Sequence, residues 1–511
     1  MNENYSGMTY TYSADLEGLN SRIIKIEVNI KRGIPRFLLV GLATASVRES
    51  SERVRIAIEN SGFEFPLQNI LVNLSPAGIK KDSSWFDLPI AVSILFLSGQ
   101  IQFNEPMDNF LFLGELGLDG KIKPMKGIVN ILSGLLSSDF QKIVLPYENR
   151  LESIFSGKKI YPIQNLSEIN EIFSGERSPY VHTISKKPPA QNIKDIECFP
   201  SQYLSIRKLM ISLAGRHHLL LVGSPGNGKT MISNLSKQLA PELRDSEYID
   251  VLKIKSLQEH LFSESSFQLN RPFRSPHHTS SDISITGGGK TISAGEVTLA
   301  HRGILFLDEL CEFKSSVIQS LREPMEEGSI TISRANYHLT YPASFLLIAA
   351  TNPCPCGFLF SRNQACICSA EKIRKYLSKI SGPFLDRIDI QDILEPGESE
   401  KNKKMTLSLS DIQSKIEKAS RRQEERFKNK IIHYNGEIHI NPEEYIEFDV
   451  QSKTVLNEIK NQKGISIRKF FKIQKISRTI ADLDDSDSIR EEHVLEAYQI
   501  NKTFLSEYYQ K

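Results

Sequence analysis

The sequence predicts a multidomain α/β protein. Three observations carry this: its length, its alternation of short apolar runs with helical patterns, and a glycine loop set between a strand and a helix. A chain of 511 residues exceeds one ordinary core, so about two to four domains are expected. Hydrophobic content of 40% and charged content of 24% are those of a soluble globular chain. With a formal net charge of +2, any contact with nucleic acid has to be a local patch rather than a bulk field. The longest mostly apolar run, Leu88 to Leu97, is too short to cross a bilayer. The start, Met1-Asn2-Glu3-Asn4-Tyr5-Ser6, has no basic n-region and no apolar h-region. The expectation is a cytoplasmic protein without membrane contact, its cysteines reduced.

Residues 1–180 carry β-rich runs at Ile23–Ile30, Phe37–Val40 and Ile70–Leu74. Helical patterns cover Val47–Asn60 and Leu88–Leu97. Together these give an α+β or α/β unit. A polar, proline-bearing stretch from Ser178 to Ile193 sets a linker over 181–194. Residues 195–395 again alternate strands and helices. Beyond the polar segment Pro396 to Lys404, residues 396–511 read as mostly helical. There Ile467–Leu483 is a periodic helix, and Ser488-Ile489-Arg490-Glu491 reads as a capping box opening the last one.

The central segment holds Gly223-Ser224-Pro225-Gly226-Asn227-Gly228-Lys229-Thr230, which fits GxxxxGK[ST] at every fixed position. His218–Val222 before it reads as a buried strand, and Met231–Leu239 after it as an amphipathic helix. Such a loop aims backbone N–H groups and a helix N-terminus at anionic oxygens. Lys229 would reach the β- and γ-phosphates and Thr230 would hold Mg²⁺. Gly303-Ile304-Leu305-Phe306-Leu307-Asp308-Glu309 reads as a buried parallel strand ending in two acids, at the end where open α/β sheets bind ligands. Asp308 would orient Mg²⁺, and Glu309 would polarise water as a general base. A further strand, Phe345 to Thr351, ends at Asn352, placed for the water or the γ-phosphate. Arg387, in a turn after a helix, is a candidate for stabilising transition-state charge, and Arg468, opening a helix in the last segment, for reaching a nucleotide from the lid.

Four of the six cysteines cluster as Cys354-Pro355-Cys356 and Cys366-Ile367-Cys368. They are either ligands of a tetrahedral Zn²⁺ or incidental thiols on a loop, and spacing alone admits both. Cys198 and Cys311 read as isolated structural residues. His277 and His278 have no partner at ligand spacing, so a structural role is assigned to them.

This ordered set resembles the AAA+ ATPases. The resemblance makes Lys229 and Thr230 the Walker A pair, Asp308 and Glu309 Walker B, Asn352 sensor 1, Arg387 the arginine finger and Arg468 the sensor 2 arginine. A finger acting on a neighbour's nucleotide implies a ring, usually a hexamer. The interval between Lys229 and Asp308 is long for this family. It holds Arg271-Pro272-Phe273-Arg274-Ser275-Pro276-His277-His278 and Gly287-Gly288-Gly289-Lys290, and resembles the helix-2 insert of the magnesium-chelatase and MCM-like branch. Gly328 to Ala335 followed by Leu339 to Ala343 looks like the hairpin before sensor 1. Lys290, Arg334 and His338 are the implied DNA-backbone contacts.

Within that branch the whole chain resembles the ComM/YifB family. The matches include Arg53-Val54-Arg55, Phe86-Asp87-Leu88-Pro89-Ile90-Ala91, Gly114-Glu115-Leu116, Leu321-Arg322-Glu323-Pro324-Met325-Glu326, Gly382-Pro383-Phe384-Leu385-Asp386-Arg387 and Ala481-Asp482-Leu483. The family implies a hexameric, Mg²⁺- and ATP-dependent motor for branch migration on branched or single-stranded DNA in natural transformation. It is also described as a magnesium chelatase or an ATP-dependent protease. Its implied layout is a Lon-protease-like (ribosomal S5 domain 2-like) α+β domain over 1–180, an AAA+ P-loop α/β core over 195–395 and a C-terminal helical lid over 396–511. The chain departs from the family at Pro200-Ser201-Gln202, where a GQ pair is usual, and at Ser224 and Asn227 in the loop. Aligned on Lys81-Asp82, the nucleophile position of the Lon serine–lysine dyad falls on Trp85, with Ser83 and Ser84 out of register. The lysine position falls on Val129, with Lys126 three residues early. A dyad needs a hydroxyl within reach of an amine, so a proteolytically inactive domain is expected.

Overall fold

The computed structural model describes residues 7–41, 49–76, 83–136, 140–183, 194–289, 293–334, 337–361, 364–380, 382–394, 404–430, 432–438, 441–462 and 465–501. They divide into two compact units. One comprises residues 1–189 with 248–269, the other 190–247 with 270–511. Segment 248–269 lies in sequence between the glycine loop and the acid-bearing strand, yet it packs with the first unit. No helix among the described residues is long and apolar enough to cross a membrane.

The first unit is built on a seven-stranded mixed sheet. Its spatial order is Arg36–Val40, Asn69–Ser75, Asn20–Lys31, Gly7–Glu17, Phe110–Phe112, Lys142–Pro146, Lys159–Ile163. The three strands anticipated from sequence are present, each somewhat longer or in register with its neighbour. Ile24, Ile26, Val28 and Ile30 alternate into the core at 0% exposure, the period-2 signature of a half-buried strand. The first helix begins at Ser50 and ends at Asn60; Val47 lies outside the described residues. The second runs Asp87–Leu97 and is buried along Asp87–Leu95, which explains its apolar composition on every face.

Three of the sequence matches converge here. Arg53 Nε donates to Asp87 Oδ2 at 3.0 Å, and the Leu116 amide donates to the same oxygen at 3.3 Å. Burial pushes the Asp87 carboxyl up, to about 6, against the hydrogen bonds from Arg53. Elsewhere in this unit, Ser84 Oγ donates to the Glu115 carboxylate, which also pairs with Lys123 at 2.8 Å. Lys126 Nζ donates to the Gln258 carbonyl at 2.7 Å, and Val129 is buried in the core. No serine–lysine hydrogen bond joins Ser83 or Ser84 to Lys126 among the described residues. Lys81 and Asp82 lie outside them.

Glu152 anchors segment 248–269. Its carboxyl accepts from Asn149 Nδ2 at 2.6 Å and from Ser256 Oγ at 2.8 Å. Burial outweighs both bonds and raises its pKa to about 7. An acid whose folded pKa exceeds its unfolded value binds the proton more tightly when folded. Its contribution is therefore complete below about pH 4 and lost as pH rises through about 7. Urea unfolding at pH 5 and pH 8 is expected to show the first unit weaker at pH 8 by on the order of 2 kcal/mol. Glu152→Gln should remove that difference.

The second unit holds a five-stranded sheet in which every pairing is parallel. Its order is Phe273–Arg274, Ile304–Leu307, Leu346–Thr351, Leu219–Gly223, Ile390–Leu394. Leu219–Gly223, Ile304–Leu307 and Leu346–Thr351 are buried throughout, as strands covered on both faces must be. Helices Pro200–Gly215, Leu409–Arg426 and Ile467–Leu483 share its core through Leu209, Ile416 and Ile476. Segment 396–403, read as the divide before the helical part, lies outside the described residues, as does 184–193 of the linker.

Arg271 of the Arg271–His278 stretch is structural. It pairs with Glu247 at 2.8 Å, both side chains nearly inaccessible. Burial pushes the Glu247 carboxyl up, but Arg271 and Arg216 outweigh it and hold it far below the usual carboxylate range. The capping box sits later than the sequence indicates. Ile489 is fully buried and bridges Phe448 in extended form, so the last helix starts at Glu491, with the Arg490 amide donating to His493 Nδ1 at 3.0 Å.

Candidate active site

The glycine loop leaves the C-terminal end of the central strand Leu219–Gly223 and enters helix Lys229–Leu239. Gly226 and Gly228 have φ of +84° and +91°, the left-handed region that glycine adopts without strain. An added Cβ at Gly226 would meet nothing within 4 Å, so the loop is an open cradle. Asn227 Nδ2 donates to the Leu394 carbonyl at 2.8 Å and ties the loop to the neighbouring strand. Gln202 caps its own helix by accepting from the Phe199 amide at 2.9 Å, and its Nε2 approaches the Cβ position of Gly228 to 3.9 Å. The residue replacing the usual GQ pair thus still borders the loop.

Lys229 Nζ donates to the Gly223 carbonyl at 2.7 Å and to Asn352 Oδ1 at 2.5 Å. Burial lowers its pKa, and the carboxylates Asp308 and Glu309 act in the opposite sense. The strand pairing explains the meeting. Leu219–Val222 lies beside Ile348–Thr351, and Ile304–Leu307 beside Leu346–Ala349, so loop, acids and amide all leave the same sheet edge. Asp308 and Glu309 are exposed, as is Thr230, while Ser224 is buried with its hydroxyl unpartnered among the described residues. An ammonium, a glycine cradle, a buried hydroxyl and two exposed acids fit a triphosphate with Mg²⁺. Thr230 and Asp308 would hold the ion, which supplies charge neutralisation when bound.

Glu309 takes φ +52°, uncommon for a residue with a side chain. Its carboxylate lies 3.1 Å from His278 Nδ1. Sequence reasoning assigned His278 a structural role. The pairing is long-range, and no local pattern signals it. His277 instead faces Thr279 Oγ1 at 2.9 Å.

Arg387 and Arg468 are brought together, on the wall of a cavity of about 460 Å³ that includes Glu326, Asp386, Lys472 and Lys475 and no residue of the glycine loop. Arg387 pairs with Glu326 and donates to the Pro383 carbonyl at 2.5 Å, while its Nε is buried without a partner among the described residues. Arg468 lies 3.4 Å from Asp386. Burial lowers the Lys472 ammonium to about 8, against the attraction of Asp389.

The second unit carries two hairpins among the described residues. Gly287–Gly288 pairs with Ser293–Ala294, and Ser329–Arg334 with Tyr337–Pro342. They are neighbours: an added Cβ at Gly287 would lie 3.1 Å from Ile332 Cδ1. His338 is exposed, with Nδ1 2.8 Å from Ser333 Oγ. Lys290 and the Arg334 side chain lie outside the described residues. The sulfurs of Cys354, Cys356, Cys366 and Cys368 lie within 4.8 Å of one another.

The chain matches three magnesium-chelatase family models: subunit ChlI over residues 195–402, subunit ChlI of Mg-chelatase over 26–149 and the ChlI C-terminal part over 407–501. It is 35% identical over 499 residues to the competence protein ComM of Haemophilus influenzae, covering 96% of each chain. The chain belongs to the ComM/YifB family. The YifB protein of Escherichia coli is 34% identical over 489 residues, 94% of each chain. The magnesium-chelatase 67 kDa subunit of Chlorobaculum parvum matches only 72 residues at 25% identity, 14% of this chain and 12% of its own. The ComM/YifB membership makes this a magnesium-chelatase-like AAA+ protein.

Proposed function

We propose that this ComM/YifB chain is an ATP-hydrolysing motor of the hexameric ring type that moves on branched or single-stranded DNA, with branch migration in transformation or recombination as its work. The carrying observation is the separation of charges. Lys229, Asp308, Glu309 and Asn352 meet at one sheet edge, while Arg387 and Arg468 share a cavity wall without them. A site that needs those arginines would then draw them from an adjacent subunit. Both would act on the neighbour's nucleotide, rather than Arg468 on its own.

In this reading Lys229 exchanges Gly223 and Asn352 for phosphate oxygens. Asn352, so released, orients the attacking water. Glu309 takes its proton, and the arginines balance the charge that builds on the transferred group. His278 positions Glu309. His278→Ala is expected to lower kcat about 10-fold with KM for ATP unchanged, checked by steady-state kinetics; the same KM-neutral loss should be absent in His277→Ala.

The DNA assignment draws on the similarity to a competence protein and on the paired hairpins, with Lys290, Arg334 and His338 as backbone contacts. The first unit would serve ring assembly or DNA handling without peptidase activity. A chelatase-type motor is the second reading, favoured by the family models, although the chelatase subunit itself matches little of the chain. Forked DNA with ATP, beside Lys229→Ala, distinguishes them. DNA-stimulated ATPase and strand movement lost in the variant are expected. Stimulation by a porphyrin and not by DNA would favour the chelatase.

A further inference from the structure

We propose that Cys354, Cys356, Cys366 and Cys368 bind one structural Zn²⁺, and that this metal knuckle braces the phosphate loop and Asn352. The four sulfurs converge. Cys354 Sγ lies 3.4 Å from Cys356 Sγ and 3.6 Å from Cys366 Sγ, and Cys356 and Cys366 are 3.5 Å apart. Four thiolates about 2.3 Å from a shared Zn²⁺ stand about 3.8 Å from each other. Three of the sulfurs already stand close to that spacing, with Cys368 Sγ within 4.8 Å of each. They are free thiols, not bridged pairs.

Cys354 is fully buried, whereas Cys356, Cys366 and Cys368 are partly accessible, which leaves an entry path for the ion. A soft four-sulfur set selects Zn²⁺ over Mg²⁺. With four protein ligands the ion has no open position, so its role is structural rather than catalytic.

The knuckle begins two residues after Asn352. Its turn is closed by the Gly357 amide donating to the Cys354 carbonyl at 2.9 Å. Gly357 has φ +83°, and a Cβ there would lie 2.6 Å from Pro225 Cδ and 3.9 Å from Asn352 Cγ. The backbone of the turn therefore packs directly on the phosphate loop. No side chain fits between them. The metal site stands on the sulfur geometry alone; its bracing role rests on the nucleotide reading of the loop.

Zinc content of the full-length protein, purified without chelator, tests the site. About one Zn²⁺ per chain is expected, and Co²⁺ exchange should produce intense sulfur-to-cobalt charge-transfer bands. Cys356→Ser should weaken both. Zinc-free protein that takes up Co²⁺ without those bands overturns the metal site. Binding of a fluorescent ATP analogue tests the bracing. Chelator-stripped protein and Gly357→Ala should each bind it severalfold more weakly, with Gly357→Ala keeping its zinc. Unchanged affinity in both overturns the bracing. A wild-type chain that holds zinc but no nucleotide overturns the bracing together with the reading of the loop, and leaves the metal site standing.

Discussion

Arg387→Ala is expected to lower ATP turnover by about 10³- to 10⁵-fold while ATP binding persists, because a guanidinium that meets transition-state charge contributes on that scale. The structure gives the reason for expecting a trans effect. Arg387 lines a cavity with Arg468 that excludes the glycine loop, and in the isolated chain it is held by Glu326 and the Pro383 carbonyl. Mixing is the decisive measurement. Lys229→Ala chains keep Arg387 but lack the phosphate lysine; Arg387→Ala chains keep the lysine. Together they should recover part of the turnover that neither shows alone. Arg387→Lys should not restore the rate, since an ammonium lacks the planar fork. A monomer hydrolysing ATP at full speed without Arg387 would refute the shared-site reading.

Glu309→Gln should reduce kcat by about 10²- to 10⁴-fold, the range for loss of a positioned general base, with affinity for ATP retained. Its backbone conformation and its contact with His278 aim the carboxylate independently of Asp308, whose Oδ1 accepts from the Glu309 amide at 2.9 Å. The two acids therefore hold separate positions despite being adjacent. Single-turnover kinetics beside equilibrium binding of an ATP analogue checks the claim. Equal losses in binding and in rate would assign Glu309 to nucleotide affinity instead.

The convergence of loop, acids and amide at one end of the sheet was legible because its signal is local. A glycine loop between an apolar strand and a helix, and acids or an amide at strand ends, are patterns that parallel pairing converts into proximity. The helix Ile467–Leu483 was legible to the residue, with Ser466 Oγ accepting from the Lys469 amide at 3.2 Å as cap. What was illegible depended on distant packing. Ser488 looked like a cap until the burial of Ile489 held the chain extended past it. His278 gave no hint of Glu309, because nothing in a strand-to-loop stretch encodes which acid it will face. Arg387 and Arg468 each fit a role singly, but their shared cavity wall is a tertiary fact. Segment 248–269 carries no mark of the unit it joins, since an apolar helix face is satisfied by any complementary core.

That last segment constrains how the gene can be cut. A fragment ending at residue 189 encodes an incomplete first unit: it lacks the Ser256 hydroxyl for Glu152 and the Gln258 carbonyl for Lys126. A fragment starting at residue 190 carries an orphan stretch with no home. During synthesis the ribosome must have passed Leu269, beyond the phosphate loop, before the amino-terminal unit has all its pieces. A single cut in the chain therefore leaves neither unit whole, and any swap between relatives has to move both parts of the discontinuous unit together.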